Sequence, residues 1–297
     1  MLSDIHLARW LCFITMTGPT IRRHQLGSEL RRLREAAGVS RAEAAQIVGC
    51  SLTKITHMEI GRSSPRKTEL IVLLQRYGAD DRETVDELEE LRIEAAKRGW
   101  WSTARLPGWL AGYVGLEADA TSLRTLQLEL IPGLLQTEQY ARAVHGLSAH
   151  LASPEDVDRR VAARMRRQAR LDDPDRPLQF SAVISEAALQ RCARHTTVAG
   201  DQLRHLLDRA QLRNVELHVL PFSVGLHSSM AGSFTLLGFP RGLLPDAAYQ
   251  EYAVGGHLID DESIVARLDR LYGELRDQAL DVDESLTVIS ELAANTG

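Results

Sequence analysis

Aromatic residues make up 5% of this 297-residue chain, and cysteine occurs three times. Cys12, Cys50 and Cys192 are an odd number with no close pairing. That excludes a disulfide scaffold and a cysteine-built zinc site, and it fits a reducing cytoplasm. No apolar run approaches the roughly 20 residues of a membrane-spanning helix. Lysine is scarce: Lys54, Lys67 and Lys97 stand among 35 basic residues, an arginine excess that reads as a GC-rich genome. There is no HExxH, no GxSxG, no P-loop and no GxGxxG after a strand, so no enzyme and no cofactor are expected. His145 with His150, and His195 with His205, are not spaced for one metal on a helix face and read as surface histidines. Glu186 and Asp201 have no visible partner, and Cys192 reads as a buried thiol.

What is present is an ordinary globular composition, 44% apolar and 25% charged, at a length that favours two domains. The net charge of −5 conceals a split. Residues 21–78 hold 11 Lys and Arg against 5 acids, net +6, and residues 79–297 carry −11. A basic domain joined to an acidic one suits a DNA reader attached to a body that phosphates repel.

The stretch Gly38–Gly61, GVSRAEAAQIVGCSLTKITHMEIG, has the punctuation of a helix-turn-helix. Ser40 and Glu43 form a capping box that starts one helix. Gly49 ends it where a tight turn demands positive φ, and Ser51 caps a second helix running to about Glu59. Ala45 is small where the helices cross. Ala44, Val48, Cys50, Ile55 and Met58 recur at the spacing that buries one face of each helix. Ser51, Leu52, Thr53, Lys54, Thr56 and His57 remain on the outside, mostly short polar or basic groups able to reach base edges.

Around this pair, the spacing of Leu26, Leu30, Leu33 and Ala37 predicts a helix ending at Gly38. Arg66–Tyr77 and Asp80–Arg98 read as further amphipathic helices, completing a five-helix domain. Residues 1–20 are expected to be a disordered extension, with Met16 the biological start. The helix-turn-helix domain then spans 21–79, a connector helix 80–98, and an α+β domain 99–297. Within the last, Ser122–Leu130, Leu178–Ile184, Val215–Leu220, Gly232–Phe239, Ala247–Tyr252 and Gly256–Ile259 read as strands. Thr137–Leu147, Pro154–Leu171, Val198–Leu212, Asp261–Asp277 and Asp283–Ala294 read as helices. The fold class is therefore an all-α N-terminal domain joined to an α+β C-terminal domain.

The first 100 residues, with ITHMEIG followed by Arg62 and a serine–proline loop, resemble the XRE family of Cro- and repressor-type regulators. The remainder resembles a C-terminal domain of unknown function found in actinobacterial regulators, some described as antitoxin-like. The segments that carry this are RGWW (98–101), YVGLEADATSLRT (113–125), IPGLLQTEQYARAV (131–144), RVAARMRRQ (160–168), VLPFSVGLHSSMAGSFTLLGFP (219–240) and YQEYAVGGHLIDD (249–261). The first resemblance implies that Arg41 binds phosphate, that Ser51, Leu52, Thr53 and His57 face bases, and that Arg62, Arg66 and Lys67 follow the backbone. Leu52 stands where a polar residue is usual and offers apolar contact, for instance to a thymine methyl. It also implies a buried ion pair between Arg34 and Glu59. The partners expected are double-stranded DNA carrying an inverted repeat, bound by a homodimer, and no membrane. The C-terminal domain is read either as the seat of a small partner protein encoded nearby or as a pocket for a small-molecule effector. The loop Gly225–Gly232 would serve either. Trp100, Trp101 and Trp109 could line such a pocket, but core positions are the preferred reading.

Overall fold

The computed structural model describes residues 19–97, 99–147, 153–240 and 244–296. The expected extension at 1–20 lies almost wholly outside them, as do Met16, Arg98 and His150. The described chain divides into two compact units, one ending at Trp100 and one beginning at Trp101.

The first unit is five helices: α1 (Pro19–Ala36), α2 (Arg41–Ile47), α3 (Leu52–Glu59), α4 (Lys67–Tyr77) and α5 (Arg82–Ala95). Their ends are fixed locally. Ser40 accepts from the Glu43 N–H while Glu43 accepts from the Ser40 N–H, the two halves of a capping box. Ser51 and Asp81 cap α3 and α5 by accepting from Lys54 and Thr84. Gly49 has φ +66°, the left-handed conformation that the turn between α2 and α3 requires. Leu26, Leu30, Ala44, Ile55, Met58, Leu70, Leu74 and Leu91 form one core. Helix α1 starts well before the expected Leu26, and the buried Ile21 extends its apolar face.

The second unit is built on a six-stranded mixed sheet: β1 (Ser122–Gln127), β2 (Gln179–Ser185), β3 (Val215–Leu220), β4 (Phe234–Gly238), β5 (Ala247–Tyr252) and β6 (Gly255–Ile259), in spatial order β3-β2-β1-β4-β5-β6. β1, β2 and β3 run parallel, with Leu123 opposite Phe180 and Ala182 opposite Leu217. β4, β5 and β6 are antiparallel additions, with Thr125 opposite Thr235 and Thr235 opposite Tyr249. The helices are α6 (Gly108–Asp119), α7 (Glu138–Gly146), α8 (Pro154–Gln168), α9 (Glu186–Ala193), α10 (Ala199–Arg209), α11 (Glu262–Gln278) and α12 (Val282–Ala294). Helix α11 crosses one sheet face, burying Val265, Tyr272 and Leu275 against Leu126, Val183, Leu236 and Ala248. At the β3 edge, Val219 donates its N–H to Ser285 Oγ and accepts from the Leu280 N–H. At the other edge β6 packs against α6.

This is the α+β architecture expected, with several corrections. β1 stops at Gln127 rather than Leu130, because the Leu128 N–H leaves the ladder to donate to Ser233 Oγ. Helix α8 stops at Gln168, short of Leu171. Helices α6 and α9 were not anticipated: α6 is buried on nearly every side and so carries no amphipathic period, and α9 starts directly from the last residue of β2.

Candidate nucleic-acid interface

The outward face of α3 depends on how α3 is seated from below. Gly27 on α1 passes so close under the end of α3 that a Cβ there would meet the carbonyl oxygens of Met58 and Glu59. Glu59, 5% exposed, accepts from Arg34 Nε at 2.5 Å and from Arg34 Nη2 at 3.2 Å. Arg34 also donates through Nη1 to the Val39 carbonyl at 2.8 Å, so one guanidinium ties the end of α1, the α1–α2 turn and the end of α3. This hydrogen bonding to Glu59 holds the Arg34 pKa above its ordinary value. The second Glu59 oxygen accepts from Arg41 Nε at 2.8 Å, which joins the start of α2 to the same carboxylate. A buried carboxylate with charged donors on both oxygens is satisfied rather than stranded.

On the other side of α3, Ser51, Leu52 and Thr53 are exposed, and Leu52 keeps 53% of its surface open. Lys54, Thr56 and His57 are half-buried. Thr56 turns its hydroxyl back to the Leu52 carbonyl. The His57 carbonyl accepts from the N–H groups of Arg62 and Ser63, bending the chain after Gly61 into the loop that brings Arg62 and Arg66 to the surface. Two lysines expected to meet DNA are engaged within the unit: Lys54 Nζ lies 2.5 Å from Glu69, and Lys67 Nζ lies 3.4 Å from Glu89. Arg41 remains 39% exposed, and its Nη groups make no hydrogen bond among the described residues.

Two features of this arrangement were missed in the sequence. Gly27 sits mid-helix in α1 with no local turn to justify it, and the reason is the passage of α3 above it. The double use of Glu59 by Arg34 and Arg41 was also missed, because Arg41 reads by position as an outward phosphate ligand.

The second unit holds a cavity of about 450 Å³ beside the sheet face opposite α11. Its walls come from α6, β1, the loop Ile131–Gln136, the end of α7, the face of α8 carrying Arg160, Arg164 and Arg167, and β5. Trp109 lines it, and Trp100, Trp101 and Trp109 are all half-buried. The preferred core reading of these tryptophans is thereby corrected. His145 also lines the cavity and is no surface histidine: burial, then Arg164, Arg160 and Arg167, push its pKa down to about 4. Cys192 is a buried thiol pushed up to about 12 by that burial. Glu186 accepts from the Phe222 N–H. No cluster of His, Cys, Asp or Glu able to hold a metal occurs among the described residues, and no helix among them is long and apolar enough to cross a membrane.

Residues 25–88 match a family described as a helix-turn-helix domain. With that match on the two crossed helices and their exposed face, the protein is a helix-turn-helix regulator of the DNA-binding class. Residues 110–291 match the family described as Domain of unknown function (DUF5753), and the chain belongs to that family. No curated protein and no solved structure matches it.

Proposed function

We propose that the protein is a sequence-specific transcription regulator of the XRE type, acting in the cytoplasm without catalytic activity. The observation that carries this is the division of α3 into a locked inner face, held by Gly27, Arg34 and Glu59, and an open outer face of Ser51, Leu52 and Thr53. A rigidly seated helix presenting short side chains at its N-terminal turn is suited to a major groove. Arg41 is the phosphate ligand best prepared for the task, since Glu59 orients its Nε and leaves its Nη groups to donate. Arg62 and Arg66 extend the backbone contacts. Lys54 and Lys67 contribute less, because each must leave a carboxylate first. One recognition helix reads few base pairs, so the regulator binds as a homodimer to an inverted repeat with half-sites about one helical turn apart, roughly 10 bp.

For the second unit, an antitoxin-like role with a small protein partner finds support in the exposed Phe222, Leu226 and Met230 around the Gly225–Gly232 loop. The cavity favours the other reading, a small-molecule effector site, because it is a partly open recess of the volume such sites have. The deciding experiment selects binding sites from random duplex DNA with the full-length protein and then maps the footprint. A two-fold symmetric footprint with two chains per site supports the reading. A single asymmetric half-site bound by one chain overturns the dimer, and failure to enrich any sequence overturns sequence-specific binding.

A further inference from the structure

The walls of the cavity are unlike those of an empty packing defect. Arg160, Arg164 and Arg167 fall on one face of α8 at helical spacing, and all three line the space. Arg167 is fully compensated: Nε and Nη2 each donate to Glu117 at 2.6 Å, and its guanidinium lies over the Tyr113 ring at 5.1 Å. Arg160 and Arg164 form no ion pair with any described residue. Arg164 makes one neutral bond, to Gln136 Oε1 at 2.6 Å, and its buried Nε has no partner. His145 Nε2 and the Tyr249 hydroxyl, also on the walls, are buried without partners. Buried polar groups are almost always satisfied, so several of them around one space point to something that belongs in it.

The sign of the missing partner follows from the charges. Of the two carboxylates that line the cavity, Glu129 is taken by Arg191 at 2.6 Å, and Glu251 is exposed. The interior balance is therefore positive, while one exposed carboxylate disfavours a guest of high negative charge. Trp109, Leu110, Leu130 and Phe180 supply apolar wall beside the arginines. We propose that this cavity is a binding site for a small apolar monocarboxylic acid, its carboxylate held by Arg164 with Arg160, and its body against Trp109 and the neighbouring apolar wall. A planar guanidinium with two adjacent donors is matched to a carboxylate and poorly matched to a neutral group. The three arginines on one helix face agree with this: burial and then the neighbouring Arg167 lower the Arg164 pKa to about 10, outweighing the opposing pull of Glu251, Tyr113 and Glu117. The site names the ligand class for the effector reading of the second unit and rests on it. It does not rest on the DNA-binding assignment.

The test uses the full-length chain and measures thermal unfolding and calorimetric binding without DNA. Phenylacetate and octanoate are the acid probes, phenylacetamide is the neutral control, and inorganic phosphate is an anion lacking an apolar body. Saturable binding of either acid, at least tenfold tighter than the amide and than phosphate, is expected. Arg164→Gln should weaken the acid roughly tenfold or more, the scale of one charged hydrogen-bonded contact, while leaving amide binding unchanged. Should that variant fail to fold, the native chain still decides: saturation with the acid must raise the pKa of the His145 imidazole, followed by NMR. Absence of binding by both acids at millimolar concentration, equal binding of acid and amide, or an unmoved His145 overturns the proposal. DNA binding measured on the same preparation separates this failure from failure of the regulator assignment.

Discussion

Arg34 and Glu59 form an ion pair that is buried at both ends, with 7% of one side chain and 2% of the other reached by solvent. Such a pair owes its value to its context. Against well-packed apolar residues of similar size it is close to neutral, but breaking it strands a charge.

Glu59→Ala should therefore cost about 3–5 kcal/mol in the unfolding of the first unit. The double replacement Arg34→Met with Glu59→Met should recover much of that loss. Urea unfolding of the two variants beside the native chain checks this, and a Glu59→Ala cost of a few tenths of a kcal/mol would show that the carboxylate is expendable.

Gly27→Ala should be destabilising even though alanine is the better helix former. The added methyl has nowhere to go but against the α3 carbonyls, and overpacking of this kind costs about 1–3 kcal/mol. A gain in stability, as helix propensity alone predicts, would mean that α1 and α3 can separate freely.

The outer face should divide by phenotype. Thr53→Ala or His57→Ala should lose about 1–3 kcal/mol on the best site and relax its sequence preference. Arg41→Ala should weaken all duplexes alike and flatten the salt dependence of binding. Because Arg41 also touches Glu59, its variant should in addition lose some stability, which the Thr53 variant should not. Binding titrations at several salt concentrations, paired with unfolding curves, separate the two effects.

The second unit should lose stability as it is acidified, by an identifiable route. His145 titrates in the folded protein near 4, against roughly 6.5 when unfolded. Between those values the unfolded chain binds the extra proton, so the stabilising contribution is complete above about pH 6.5 and is lost as pH falls toward 4. Burial sets most of this shift and Arg164, Arg160 and Arg167 add to it; Glu129 and Glu251 are the carboxylates that also line the cavity. His145→Gln should flatten the pH dependence of unfolding across that window, and an unchanged profile would place the titrating group elsewhere.

How much of this was legible depended on how local its cause is. Ser40 with Glu43, Gly49 and Ser51 carry their reasons within a turn of themselves, and each stands where the pattern placed it. The alternation of β1 was readable for the same reason. Gly27 was not, since what forbids a side chain there lies on another helix. Helix α6 was invisible because burial on nearly all sides erases periodicity. Arg160, Arg164 and Arg167 were not singled out, and nothing in RVAARMRRQ announces that this helix face lines a cavity. Lys54 and Lys67, both in the expected DNA-facing set, also pair with Glu69 and Glu89 on other elements, which the local pattern does not show.

The treatment of the β3 edge has a consequence for how other proteins can approach. Strand β3 ends the sheet, and an end strand ordinarily offers a free row of backbone groups on which a foreign strand can grow. Here Leu280 and Ser285 already occupy the donor and acceptor of Val219, so the chain's own C-terminal segment stands in for that stranger. At Val219 a partner strand finds both backbone groups already taken, so lengthening of the sheet along β3, whether as recognition or as aggregation, is interrupted at that residue.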